Sequence, residues 1–151
     1  MKIYLAARYS RRLELCDYRI RLQQQGHTVT SRWLNGAHQI DRDGMKLGAL
    51  GEEYVEAGSD EHAAQLRRHF ASEDMSDVFA ADLMIAFTEE PRAEASRGGR
   101  HVELGLALAT GKTIYLVGPR ENVFCWLPGI RQFSNIEACY SHMRERKEND
   151  G

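Results

Sequence analysis

One carboxylate, Glu103, lies near the start of a strongly apolar stretch and is the first candidate for chemistry. Residues 97–112 begin Arg-Gly-Gly-Arg-His and continue Val-Glu-Leu-Gly-Leu-Ala-Leu-Ala, which predicts from Arg100 onward a helix that is buried on most sides. Burial of a charge there is costly, whereas the positive end of the helix dipole favours the ionised form. An ionised, buried carboxylate suits a nucleophile better than a proton donor. A carboxylate that caps free backbone N–H groups explains the same spacing.

Two further polar side chains are candidates to act beside Glu103. Asp74 belongs to the cluster Ser-Glu-Asp-Met-Ser-Asp at 72–77, and on a helix that runs toward the base of the next strand it lies nearer than Asp77 to the carboxyl edge of the sheet. The alternative is an ordinary carboxylate in the first turn of a helix. Tyr4 lies in an otherwise apolar strand, where a buried hydroxyl needs a partner such as a carboxylate. Core filling is the simpler explanation of Tyr4.

The elements that must position these residues alternate between strand and helix. Apolar runs predict strands at 2–7, 27–33, 82–87 and 113–117, with a fifth candidate at 130–133. Helices are predicted at 10–25, at 61–81 with a break near Ser72, from Arg100 to the stop signal at Gly111, and at 135–146. The inner face of the first helix is expected to carry Leu13, Cys16 and Ile20. This order predicts an α/β fold whose parallel sheet is covered by helices on both faces.

The carboxyl ends of the strands are the expected ligand-binding edge of such a sheet. Because the helix with Glu103 follows the third strand, it starts at this edge, and the topology favours a functional role over capping. Other candidates for substrate contact share this edge. They are Ala7, Tyr9 and Ser10 after the first strand, Gly99, Arg100 and His101 at the helix start, and Asn122 after the fourth strand.

The 151 residues fit a single domain, 1–151. A polar, glycine-dense stretch at 35–58 is expected to be a long surface loop with a short helix at 50–56, and loops of that length often act as lids. The last residues, 147–151, are expected to fray.

Composition excludes several classes of partner and cofactor. The net charge of −2 gives no overall attraction to nucleic acid or to a membrane, and no apolar run reaches membrane-spanning length. Three cysteines without CxxC spacing, and the lack of a signal peptide, favour a reducing, cytoplasmic setting. The six histidines never pair at metal-ligand spacing, and the glycines match neither a Walker loop nor a dinucleotide fingerprint. We therefore expect no metal and no cofactor.

An ordered set of three motifs resembles the nucleoside 2-deoxyribosyltransferase family, which includes the 2'-deoxynucleoside 5'-phosphate N-hydrolases. The motifs are Ile-Tyr-Leu-Ala at 3–6, Asp74 eight residues before the Asp82 of Ala-Asp-Leu-Met-Ile-Ala, and Val-Glu-Leu-Gly-Leu-Ala-Leu-Ala at 102–109. The resemblance covers most of the chain and is weakest over 35–68. It implies a doubly wound, mostly parallel five-stranded sheet of flavodoxin- or Rossmann-like type, and cleavage of the bond between a base and deoxyribose.

The resemblance also implies roles for the three candidate catalytic residues. Glu103 would attack the anomeric carbon, Asp74 would hold or protonate the base, and Tyr4 would bond to and orient Glu103. The glycosyl ester on Glu103 would then pass deoxyribose to another base, as in a transferase, or to water, as in a hydrolase. A homo-oligomer is implied as well, in which a neighbouring subunit completes the site near Asn122 and Phe124.

The arginines before Glu103 depart from the N-hydrolases, which carry a phosphate-contacting serine there. Either Arg97 and Arg100 would bind a 5'-phosphate bidentately, or they are surface residues and the substrate is a free nucleoside. Arg100 opposes the helix dipole unless an anion arrives, which favours a phosphorylated substrate, although Glu89 or Glu90 would resolve the same conflict. Two alternatives stay open: a non-catalytic nucleotide-binding sensor, and a ribosyl hydrolase of NAD-like or ribonucleotide substrates.

Overall fold

A computed structural model describes residues 1–35, 58–90 and 98–151, and in these ranges it contains a five-stranded sheet. The strands are β1 (Lys2–Ala6), β2 (Thr28–Val29), β3 (Leu83–Phe87), β4 (Thr113–Val117) and β5 (Ile130–Phe133). They pair in the order β2-β1-β3-β4-β5, and every pairing is parallel. The helices are α1 (Arg12–Gln24), α2 (Glu61–Ala80), α3 (Gly99–Ala109) and α4 (Ile136–Asn149). This is the doubly wound, flavodoxin-like order, and it confirms the predicted fold class.

The three central strands form the middle of the core. Every residue of β3 is buried, and in β1 and β4 only the first residue is exposed. Strands covered by helices on both faces need apolar residues at successive positions, which explains the continuous apolar runs that mark them in the sequence. None of the helices in the described ranges has the length and apolar composition needed to cross a membrane.

Helix α1 buries a different face from the one predicted. Leu13 and Ile20 are 74% and 48% exposed, and Cys16 is only half-buried. The inner stripe has the same spacing but begins two residues later, at Leu15, Tyr18 and Leu22. The two stripes have equal spacing, so periodicity alone does not show which of them is buried. The buried stripe is the one that contains the large aromatic ring of Tyr18. This ring stacks on Phe87 of β3 with a centroid separation of 5.3 Å.

The second strand is shorter than the predicted 27–33, since side chains replace the backbone ladder after the bond from the Thr30 N–H to the Ile3 carbonyl. The Ser31 hydroxyl accepts a 2.7 Å hydrogen bond from the backbone N–H of Leu5, and the indole of Trp33 donates a 3.0 Å bond to the carbonyl of Leu5. The chain therefore turns into a 3-10 helix, Arg32–Asn35, against the end of β1.

Two predicted helix boundaries are also corrected. Helix α2 runs through Ser72 without a break, because the Ser72 hydroxyl bonds to the carbonyl of Arg68 inside the helix. Helix α4 continues to Asn149, so most of the tail expected to fray is helical. Of the loop predicted at 35–58, residues 36–57 lie outside the described residues, together with its short helix at 50–56 and with Arg97.

Candidate active site

Tyr4 and Glu103 meet between β1 and α3. Tyr4 is fully buried in β1, and α3 packs against β1 and β3. The phenol of Tyr4 donates a 2.8 Å hydrogen bond to Oε1 of Glu103. Burial and the negative charge of Glu103 raise the pKa of Tyr4 well above its ordinary value, so the phenol stays a donor. The buried hydroxyl thus has the carboxylate partner that the sequence analysis considered.

Helix α3 starts earlier than predicted, and this changes the environment of Glu103. Gly98 has a φ of 84°, a left-handed conformation that glycine adopts without strain, and the helix follows from Gly99. Glu103 is consequently the fifth helical residue, and it lies beyond the unpaired N–H groups of the first turn. This position does not fit a capping carboxylate, and it weakens the effect of the helix dipole, which falls off within one turn.

The expectation that Glu103 is ionised at rest is corrected. Burial, followed by the negative charge of Asp74, raises its pKa to about 8. The Tyr4 hydrogen bond and the positive charge of Arg100 lower the pKa of Glu103, but by less. Desolvation therefore outweighs the stabilising contacts, and at neutral pH the protonated carboxyl predominates in the unliganded protein.

Asp74 of α2 lies close enough to act on Glu103 electrostatically. Burial raises the pKa of Asp74 to about 7, the negative charges of Asp77 and Glu73 add to this rise, and Arg32 opposes it. Helices α2 and α3 pack against each other, which brings together Asp74 and Glu103, the two carboxyls with raised pKa values. Such a pair titrates as a unit and carries about one proton near neutral pH.

Asp77, by contrast, has a structural role. It is buried and accepts hydrogen bonds from the backbone N–H of Arg32 at 2.9 Å and from Nε of Arg32 at 2.7 Å. The backbone carbonyl of Asp77 accepts a bond from the Thr30 hydroxyl at 3.0 Å. Asp77 therefore joins α2 to the segment after β2, while Asp74 is the member of the acidic cluster that acts on Glu103.

The charge of Arg100 is balanced by Glu121, which follows β4. Both Nη atoms of Arg100 donate to the carboxylate of Glu121, and the two side chains are only 8% and 10% exposed. Glu89, which the sequence suggested for this role, instead accepts a bond from Arg11 at 3.3 Å. Sequence analysis missed Glu121, since an ion pair between a loop and a distant helix leaves no periodic signal.

The residues after β1 lie at the carboxyl edge with partners of their own. Ala7 and Tyr9 are half-buried, and Ser10 is exposed in a short 3-10 helix. The Tyr9 ring lies 6.2 Å from the ring of Trp33, and the guanidinium of Arg12 lies over it at 4.7 Å. Their contact with substrate stays a prediction.

The remaining candidates lie on the two sides of the Arg100–Glu121 pair. Gly99 and His101 are exposed at the start of α3. The Asn122 side chain accepts a 3.0 Å bond from the backbone N–H of Phe124 and so caps the 3-10 helix Val123–Trp126. In the described residues, the contacts and charges that act on Glu103 come from Tyr4, Asp74 and Arg100.

No metal site coincides with these carboxyls in the part of the chain that the structure describes. No group of three His, Cys, Asp or Glu residues is arranged there to hold a metal ion. A cavity of about 660 Å³ lies at the opposite, amino edge of the sheet, lined by His27, Asp82, Thr113 and Arg146 among others, and not by Tyr4, Asp74 or Glu103.

Comparison with known proteins identifies the fold. No protein-family model matches the chain, and no curated protein matches it. Among solved structures, the chain is similar to the CMP N-glycosidase BcmB of Clostridium botulinum, with a TM-score of 0.52 and 18% sequence identity. The match covers 95% of this chain and 99% of that one. The chain thus has a fold similar to that of this N-glycosidase.

Proposed function

We propose that the chain is an enzyme that cleaves the N-glycosidic bond of 2'-deoxynucleosides or their 5'-monophosphates through a covalent glycosyl–Glu103 intermediate. The observation that carries this proposal is the hydrogen bond from buried Tyr4 to Glu103, a carboxyl whose pKa burial and Asp74 raise to about 8. Perturbed carboxyls of this kind concentrate at catalytic sites. The fold likeness to an N-glycosidase supports the same reaction class.

In the first step, an oxygen of Glu103 attacks the anomeric carbon. The bond from that carbon to the base nitrogen breaks, the ester bond to Glu103 forms, and Asp74 gives its proton to the departing base. Tyr4 donates to Oε1 and thereby orients the carboxylate and favours its charged form. Bound substrate excludes water from the site. The positive charge that develops on the sugar then lies against the carboxylate of Glu103 and is stabilised by it.

The single proton of the carboxyl pair must lie on Asp74 for this step. In the unliganded protein the pKa of Glu103 is the higher of the two, about 8 against about 7 for Asp74, so the proton must pass from Glu103 to Asp74 before the attack. The hydrogen bond from Tyr4 to Glu103, and the negative charges of Asp77 and Glu73 beside Asp74, favour that transfer. Two interacting carboxyls pushed into different roles by their surroundings are a recurring arrangement for acid and nucleophile.

In the second step, an acceptor attacks the same carbon and releases Glu103. With water the reaction is a hydrolysis, with a second base it is a transfer, and in both cases ionised Asp74 takes up the acceptor's proton. Two displacements on one carbon retain its configuration.

A second copy of the chain is proposed to cover the segment after Glu121. Val123, Phe124 and Trp126 are exposed there, next to the Arg100–Glu121 pair. Exposed large apolar side chains grouped in one short segment are typical of protein interfaces. A homo-oligomer would bury them and would bring a neighbouring subunit to Asn122.

A ribonucleotide N-glycosidase is the second candidate, because the structure with the similar fold is described as acting on CMP. It uses the same roles for Glu103, Asp74 and Tyr4. The two candidates differ only in whether the site accepts a 2'-hydroxyl.

The test is release of free base, separated by chromatography, from deoxynucleosides, their 5'-monophosphates and CMP. We expect base release by the native chain and its loss in Glu103→Gln. The matched control is Glu137→Gln, which alters an exposed glutamate paired with Arg21 and should leave the rate unchanged. Saturable binding of these ligands without base release would instead establish the sensor, and full activity of folded Glu103→Gln would exclude the mechanism.

A further inference from the structure

The first turn of α3 is paired with a carboxylate from the loop after β4. Arg100 is the second residue of the helix, where its charge is unfavourable beside the positive end of the helix dipole. The carboxylate of Glu121 offsets both, through two charge-assisted bonds to the Nη atoms of Arg100. Both side chains are about nine-tenths covered, so water screens the pair poorly.

The loop that presents Glu121 is held in place by side-chain hydrogen bonds and by close packing. The Gly118 carbonyl accepts a 2.7 Å bond from the Gln132 side chain, and the Thr88 hydroxyl donates to the carbonyl of Pro119. Gly118 has a φ of 120°, and a Cβ there would lie 2.7 Å from Oγ1 of Thr88. Glu121 is consequently a preorganised partner of Arg100 and not a side chain on a loose arm.

A glycine at the helix start and a nearby arginine would together favour anion binding. Because Glu121 already occupies both Nη atoms of Arg100, the Arg100–Glu121 pair weakens that tendency. An arriving phosphate would meet a neutral ion pair and the carboxylate of Glu121 at close range. In the described part of the chain, Nε of Arg100 is buried without a hydrogen-bond partner. A single donor on a neutral pair suits an uncharged oxygen, such as a hydroxyl, better than a phosphate dianion.

We propose that Glu121 is a specificity-determining residue that makes the site prefer a nucleoside to its 5'-monophosphate. The inference rests on the proposed function and narrows its substrate class. The sequence favoured a phosphorylated substrate because Arg100 opposes the helix dipole unless an anion arrives. The structure supplies that anion from within the chain, as Glu121 and not as the Glu89 or Glu90 that the sequence suggested.

The first test compares kcat/KM for a deoxynucleoside 5'-monophosphate with kcat/KM for its parent nucleoside. The native chain should favour the nucleoside. Glu121→Gln keeps an amide oxygen for Arg100 but removes the charge, so the ratio should move toward the monophosphate by roughly ten- to a hundredfold. The double variant Arg100→Gln/Glu121→Gln should lose that gain, and Glu137→Gln should show the native ratio. A native preference for the monophosphate, or an unchanged ratio in Glu121→Gln, would overturn the inference.

The second test uses inorganic phosphate and does not depend on turnover. Titration of ¹⁵N-labelled protein should move the amide signals of Gly99 and His101 saturably in Glu121→Gln, and in neither the native chain nor the double variant. Phosphate binding of that pattern in a chain that cleaves no substrate would refute the proposed function and leave the role of Glu121 standing. Glycosidase activity together with equal phosphate binding by all three proteins would refute the role of Glu121 alone.

Discussion

The hydroxyl of Tyr4 donates a 2.8 Å hydrogen bond to Glu103 across 99 positions of the chain. One partner lies on a central strand and the other lies one turn inside a helix that packs on that strand. A buried hydroxyl and a buried carboxyl each need a polar partner, and each supplies the other's. The bond fixes the orientation of Glu103 and opposes, in part, the rise in its pKa caused by burial.

Replacement of Tyr4 by phenylalanine should slow catalysis and shift its pH dependence. Loss of one orienting bond, worth about 1–3 kcal/mol, predicts a roughly ten- to a hundredfold fall in kcat/KM. Because the bond lowers the pKa of Glu103, its removal raises that pKa, and the acid limb of the pH profile moves to higher pH. The matched control is Tyr18→Phe, which removes a 2.7 Å bond to Glu14. An acid limb that stays in place in Tyr4→Phe would contradict this role.

Asp74→Asn should mainly lower catalytic activity, whereas Asp77→Asn should mainly lower the stability of the protein. Loss of the general acid predicts a fall of about 10²–10⁴-fold in kcat for Asp74→Asn, without a loss of stability. Asp77→Asn disturbs two bonds to Arg32, and urea unfolding should show a loss of about 1–3 kcal/mol with a smaller kinetic effect. The opposite pattern would mean that the two carboxylates have been assigned the wrong roles.

The raised pKa of Glu103 predicts a stability that falls as pH rises. The unfolded chain releases this proton near pH 4.5 and the folded chain near pH 8, so the folded state binds more protons in between and loses stability across that window. Glu103→Gln cannot ionise, so the Tm of this variant minus that of the native chain should increase between pH 4.5 and pH 8.5. Each kcal/mol of difference in the free energy of unfolding corresponds to roughly 2–4 °C in Tm.

Thermal unfolding at both pH values checks this gain, and Glu137→Gln serves as its control. The pKa of Glu137 is lowered by its bond to Arg21, so removal of that carboxylate should bring no gain at high pH. A difference between Glu103→Gln and the native chain that does not depend on pH would contradict the raised pKa.

Gly118→Ala should destabilise the loop that carries Glu121. The positive φ and the 2.7 Å approach to Thr88 both oppose a side chain, which predicts a loss of about 1–3 kcal/mol in denaturant unfolding. Gly105→Ala on α3, where an added Cβ meets nothing within 4 Å, should instead stabilise by about 0.5–1 kcal/mol. Equal effects of the two substitutions would argue against the close packing of Gly118.

Much of the fold follows from the sequence, because continuous apolar runs separated by helices restrict the chain to a parallel, doubly wound sheet. The buried face of α1 did not follow, since Leu13–Ile20 and Leu15–Leu22 repeat at the same spacing. Only the packing of Tyr18 on Phe87 distinguishes the two stripes, and that contact depends on the tertiary structure.

The candidate site, like the fold, could be predicted from the sequence only in part. Tyr4, Asp74 and Glu103 were candidates because of their residue types and positions, a resemblance in three ordered motifs implied their roles, and the structure brings them together. The charge state of Glu103 was wrong, because it depends on the residue at which α3 begins and on desolvation by the surrounding core. The pairing of Glu121 with Arg100 could not be predicted from the sequence, since the two residues lie on different elements and no local pattern joins them.

The most direct test of the account is to trap the glycosyl–enzyme ester. A slow fluorinated deoxynucleoside should accumulate the intermediate, and mass spectrometry of the digested protein should find one added fluorodeoxyribosyl group on the peptide that contains Glu103. The account predicts that this adduct is absent in Glu103→Gln and decays when a base or water acts as acceptor. Base release from the native chain with no adduct under these conditions, or with the adduct on another residue, would contradict the assignment of Glu103 as the nucleophile.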